Sequence, residues 1–139
     1  MPTRPTDAML DPATVERLSD GFRRCFETME GADDVFAPDV FFDIYPPFWR
    51  FQVQGRDAIL AQRRSITDGK VRVEVLRTVP TASGFVTEHE EGDDVETARH
   101  LWLCEVRDGL ITEAVGYCNG GWDDALRARH AAEAPMLRP

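Results

Sequence analysis

Apolar positions change their period along the chain, and each change marks an element. Val15, Leu18, Phe22, Cys25, Phe26 and Met29 recur at helical spacing, so one face of this segment is apolar. Asp11-Pro12 starts the helix, with an aspartate N-cap followed by a proline whose missing N–H is no loss in the first turn. Gly31 is its expected end. Residues 39–45 form a strand that Pro46-Pro47 stops. After Gly55 a second helix, RDAILAQRRSI, carries Ile59, Leu60 and Ile66 and closes at Gly69. Val71, Val73 and Val75 then alternate with Arg72 and Glu74, the period of a strand with one wet face. Extended segments at 85–91, 96–106 and 110–118 follow, separated by GDD and RDG. A closing helix spans 122–134 after Gly120-Gly121.

The order is helix, strand, helix, four strands and a helix. Segregated strands joined by tight turns predict an α+β domain. Its cone-like core is a strongly curved antiparallel sheet wrapped around the long N-terminal helix, enclosing a concave apolar pocket. Residues 1–10, with Pro2 and Pro5, form a flexible lead-in, and 11–139 form a single domain.

Paired strands can be read for facing. Glu88 opposite Arg99 is a favourable cross-strand pair, and it leaves Thr87, His89, Ala98, His100, Trp102 and Cys104 on the other face. His89 and His100 become diagonal neighbours there. Either His89 lies near an exposed strand end beside Glu91, or it joins His100 in a pocket; His130 belongs to the surface. In the last hairpin, an Asp108-Gly109 turn puts Glu113, Val115 and Tyr117 on the histidine face. An Arg107-Asp108-Gly109 loop puts Ala114, Gly116 and Cys118 there instead.

Composition narrows the partners. A 139-residue chain with 42% hydrophobic residues can bury a real core. A formal charge of −9 argues against nucleic acid, and no apolar run approaches the ~18 residues of a membrane span. The N-terminus lacks the apolar stretch of a secretion signal, so a cytoplasmic protein is expected. Cys25, Cys104 and Cys118 are an odd number without a close pair, which suits reduced thiols and leaves no zinc motif.

The densest aromatic stretch, FFDIYPPFWRFQ at 41–52, encloses a carboxylate, Asp43. A carboxyl in apolar surroundings has its pKa raised toward working pH, the tuning a general base needs. Either Asp43 turns to solvent and carries no chemistry, or it is the expected general base. His100 is the expected donor to a developing oxyanion, with His89 assisting it, and Phe22, Tyr45, Trp49 and Trp102 line the pocket, joined by Cys118 where the longer last loop turns it inward. Arg50 either clamps a substrate carboxylate or pairs with one of the chain's own acids.

With these residues in view, the layout resembles the nuclear transport factor 2-like superfamily, especially its ketosteroid isomerase and SnoaL-like branch. FAPDVFFDI at 36–44, GRDAI at 55–59 and CEVRDGLITEAVGYCN at 104–119 carry the likeness over about 12–124. Asp43 matches the proton-shuttling aspartate of the isomerases. Trp102 stands at or beside their second acid, and Phe22 and Cys25 where their tyrosine would be. The resemblance turns Cys118 inward and Tyr117 outward, and implies a homodimer through the outer sheet face, where Leu101 and Leu103 lie. It also implies acid–base chemistry without metal or cofactor on a small, largely apolar polyketide- or terpenoid-like molecule: isomerisation, dehydration or cyclisation. The rival expectation is a non-catalytic ligand-binding or dimerisation module of the same fold.

Overall fold

The computed structural model describes residues 9–67 and 71–138. Residues 1–8 of the expected 1–10 lead-in and the expected helix stop at Gly69 lie outside the described residues. Helix α1 runs Pro12–Thr28, with Thr14 donating its backbone N–H to the Asp11 side chain at 3.3 Å. It ends earlier than Gly31, because Met29 itself takes the left-handed conformation (φ 63°) that caps it. A single 3-10 turn at Ala32–Asp34 leads into β1 (Phe36–Tyr45). Then follow β2 (Phe51–Gln54), α2 (Arg56–Ile66), β3 (Arg72–Pro80), β4 (Gly84–Gly92), β5 (Thr97–Arg107), β6 (Leu110–Cys118) and α3 (Asp124–Glu133).

The sheet has strand order β2-β1-β6-β5-β4-β3 and curves around α1 without closing. Strands β3 to β6 form the antiparallel meander that their tight turns require. The exception to the antiparallel rule is β1, which pairs with β6 in parallel. Tight turns dictate only the pairing of consecutive strands, and β1 reaches β6 across the rest of the fold. Strand β2, too short to show a clear alternation, hairpins back on β1. No helix among the described residues is long and apolar enough to cross a membrane.

Two turns decide which side chains face inward. Between β4 and β5, Gly92 pairs with Thr97, so Arg99 meets Glu90 rather than Glu88. This two-residue offset from the expected register preserves the faces and brings His89 directly opposite His100. Between β5 and β6, Arg107 pairs with Leu110, leaving the two-residue turn Asp108-Gly109 with both φ positive, 54° and 77°. The face nevertheless matches the longer-loop alternative. A bulge between Glu105 and Val106 shifts the register by one and turns Ala114, Gly116 and Cys118 inward.

The interior is full. Phe22, Phe26, Phe36, Phe42, Phe85 and Trp102 fill the concave side with ring centroids 4.7–6.3 Å apart for the contacting pairs among Phe22, Phe26, Phe36, Phe42 and Trp102. The expected open apolar pocket is therefore occupied by the protein's own aromatic side chains. A groove of about 930 Å³ runs between α1 and edge strand β3.

Candidate functional site

Strand alternation places Phe42 and Ile44 in the core, so Asp43 between them points to the outer face of the sheet. There Arg50, returning on the far side of the β1–β2 turn, donates from Nε and Nη2 to the two Asp43 oxygens at 2.9 and 2.8 Å. The Tyr45 hydroxyl adds a longer contact of 3.4 Å. The Arg50 hydrogen bonds hold the Asp43 carboxyl below the usual carboxylate range, against the smaller upward push of burial. The expected general base is thus a carboxylate locked to a guanidinium, on the face opposite the histidines. Arg50 takes the acid-pairing role.

Tyr45 and Trp49 are also displaced from the expected pocket. Tyr45 lies on the outer face, stacked on Tyr117 at 4.9 Å and under the Arg50 guanidinium. Trp49 is 72% exposed beside a fully exposed Phe48 at the β1–β2 turn, because Pro46-Pro47 carry the chain out of the sheet before it returns as β2.

The remaining expected residues do come together on the inner face. The cross-strand row His89, His100, Cys118 is continuous from β4 through β5 to β6. The next row holds Thr87, Trp102 and Gly116. Phe22, from α1, sets its ring edge-on to His89 at 5.2 Å and tilted to Trp102 at the same distance. His100 stacks parallel to Trp102 at 5.9 Å. A bare Gly116 makes room for that indole, since a Cβ there would run into the Trp102 ring.

Two residues that the sequence pattern did not single out complete the cluster. Arg63 on α2 and Glu91 on β4 are both buried and form an ion pair at 2.6 Å. A second Arg63 nitrogen donates to the Phe26 carbonyl, and the guanidinium lies over the Phe26 ring at 4.2 Å. The other Glu91 oxygen lies 3.8 Å from His100 Nδ1. A signal for Glu91 was present, since it shares parity with His89. Arg63 gave none, because it looks like any arginine of a polar helix until α2 packs.

Burial disfavours the charged form of both imidazoles. Burial lowers the His89 pKa to about 3, with further lowering from His100, Arg63 and Arg23. His100 is lowered chiefly by burial, Glu91 pulling upward and Arg63 downward. Cys118 is partly buried and its thiol is raised by desolvation, offset by the Gly120 N–H that donates to Sγ at 3.2 Å.

The cluster also holds polar atoms that lack protein partners. Both His89 ring nitrogens, His100 Nδ1, Glu91 Oε2, Trp102 Nε1 and Arg63 Nε are buried without a hydrogen bond. Buried polar groups are nearly always satisfied by protein, water or ligand, and these atoms have no protein partner. None of the described cavities is lined by either histidine. The cluster reaches solvent through His100 and Cys118.

No protein-family model and no curated protein sequence matches the chain. Solved structures do. A nuclear transport factor 2-like protein of unknown function from Mesorhizobium loti is 19% identical over 86% of this chain and 98% of its own, with a TM-score of 0.64. Another, from Burkholderia xenovorans, is 14% identical over 91% and 97%, with a TM-score of 0.65. A candidate ketosteroid isomerase from Kribbella flavida is 16% identical over 80% and 82%, with a TM-score of 0.64. The curved, open sheet around α1 and these likenesses agree: the chain has the nuclear transport factor 2-like fold.

Proposed function

We propose that the chain is an enzyme whose own side chains perform acid–base chemistry on a small, largely apolar molecule of polyketide- or terpenoid-like type, approached from the part-exposed end of the cluster at His100 and Cys118. The observation that carries this reading is the group of buried, unpartnered polar atoms at His89, His100, Trp102, Glu91 and Arg63. An apolar surround with a few convergent polar groups suits a ligand with an apolar body and one oxygen function.

In this reading His100, neutral at working pH, accepts a proton from the substrate and returns it, the role first expected of Asp43. A donor facing the developing oxyanion comes from His89 or from Trp102 Nε1–H, whose N–H groups have no competing partner inside the protein. Cys118 borders the entrance, and the buried Phe22 backs the cluster from α1. Isomerisation, dehydration and cyclisation all use this pair of roles.

The test is a panel of oxygenated polyketide and terpenoid compounds, assayed for binding and for turnover. His100→Gln is expected to lower turnover by about 10²-fold or more while binding persists. Unchanged turnover in that variant sinks the reading. Binding without turnover in the unmodified protein favours the alternative, a ligand-binding module of the same fold.

We further propose that two copies pair through the outer sheet face. Leu101, Leu103 and Tyr117 are 40%, 43% and 48% exposed there, beside the stacked Tyr45 and the Arg50 guanidinium. Tyrosine and arginine are the side chains that most often anchor such contacts.

A further inference from the structure

We propose that Arg63 and Glu91 form a buried positioning pair for His100, in which Arg63 fixes one carboxylate oxygen and the other is presented to the imidazole Nδ1. The inference rests on the acid–base reading of His100 and supplies what that reading lacks, a reason for one particular ring nitrogen to be the base.

The geometry is asymmetric in a useful way. Arg63 spends Nη1 on Glu91 Oε1 at 2.6 Å and Nη2 on the Phe26 carbonyl, and its flat face is packed on the Phe26 ring. The carboxylate therefore cannot rotate without breaking a buried ion pair, which is strongly destabilising. Its free oxygen, Oε2, is buried and faces a buried Nδ1 that also has no other partner, 3.8 Å away. Closing that gap by under about 1 Å gives an Nδ1–H to carboxylate hydrogen bond.

A carboxylate is acceptor-only, so it selects the tautomer with the proton on Nδ1 and leaves the lone pair on Nε2. His100 Nε2 is not among the buried unpartnered atoms, and the His100 side chain keeps 15% exposure. The nitrogen made basic by tautomer choice is thus the one a ligand can reach. Glu91 also stabilises the imidazolium once the proton arrives, as the third member of a nucleophile–base–carboxylate set does.

The groups facing His100 are few. β4 brings Glu91 and neutral His89, α2 brings Arg63, and β6 brings Cys118. From α1 the neighbours of the cluster are Phe22 and Phe26, with Arg23 acting on His89 from farther off. Among these, Glu91 is the group that pulls His100 toward its charged form.

Imidazole-labelled full-length protein tests this by NMR, without any substrate. In Glu91→Gln, Arg63 has only hydrogens to offer, so it takes the amide oxygen and turns the amide NH₂ toward His100. The dominant neutral tautomer is then expected to reverse, and the His100 titration midpoint to fall by about one pH unit. Glu91→Asp, which keeps the charge on a shorter arm, is expected to restore the original tautomer and part of the midpoint. Should Glu91→Gln fail to fold, Arg63→Lys gives the second reading: a looser carboxylate and a mixed tautomer population. An unchanged tautomer and midpoint in the folded variant overturn the proposal. Because no turnover is measured, this outcome is separable from failure of the acid–base reading, which His100→Gln decides.

Discussion

His89 has no exposed surface and no partner for either ring nitrogen, so its charged form loses hydration and gains nothing in return. Its folded pKa of about 3 lies below the ordinary value of 6.5. Between these values the unfolded chain binds the proton and the folded one does not, so stability rises with pH across that window. Acidifying from pH 7.5 to 4.5 is expected to cost about 2–3 kcal/mol through this residue alone. Urea titrations of the unmodified protein and of His89→Gln at both pH values measure it, the variant losing less on acidification. At Asp43 the fold favours the charged form instead, so its contribution also fades on acidification. Since Arg50 stabilises its carboxylate on the outer face, Asp43→Asn is expected to leave turnover within about twofold, far from the loss expected for His100→Gln. An equal loss in both would return Asp43 to the chemistry. Sequence density misled here for a physical reason. Alternation says that Asp43 and Phe42 face opposite ways, but aromatic residues lie at both parities of 41–52, and only packing shows that Phe42 and Ile44 take the inside.

Among the elements, β6 shows how one residue can decide a face. The chain makes the tight Asp108-Gly109 turn, which alone would point Tyr117 inward, and then reverses that outcome with a bulge at Glu105/Val106. Turn chemistry is local and legible; the bulge answers to the fit of Gly116 beneath Trp102 and of Cys118 beside His100, which is not. Gly116→Ala is accordingly expected to destabilise the protein by about 1–3 kcal/mol in urea unfolding, because the added methyl meets the indole. Helix α3 is the contrasting case. It has an aspartate N-cap, Asp123, yet no buried residue. Removing residues 124–139 is expected to cost no more than about 1 kcal/mol in the same measurement. A collapse of the fold would show that α3 covers more of the core than its exposure indicates.

At the scale of the whole molecule, the outer sheet face and the inner cluster are separate surfaces of one sheet. Leu103→Glu is expected to convert any dimer to monomer in sedimentation at micromolar concentration while leaving His100 titration untouched, since Leu103 faces away from the imidazole. A dimer that survives this charge moves the pairing elsewhere. Periodicity, caps and turns determined the order of the elements other than β2, the α+β class, and the shared face of His89, His100 and Trp102. These follow from interactions within a few residues or across a single hairpin, where spacing in the chain is spacing in space. The parallel seating of β1 on β6, the outward turn of Asp43, the filling of the interior by phenylalanines and the meeting of Arg63 with Glu91 were decided by tertiary structure. Each depends on which of several chemically equivalent faces wins burial, and that competition is settled only when distant segments pack together.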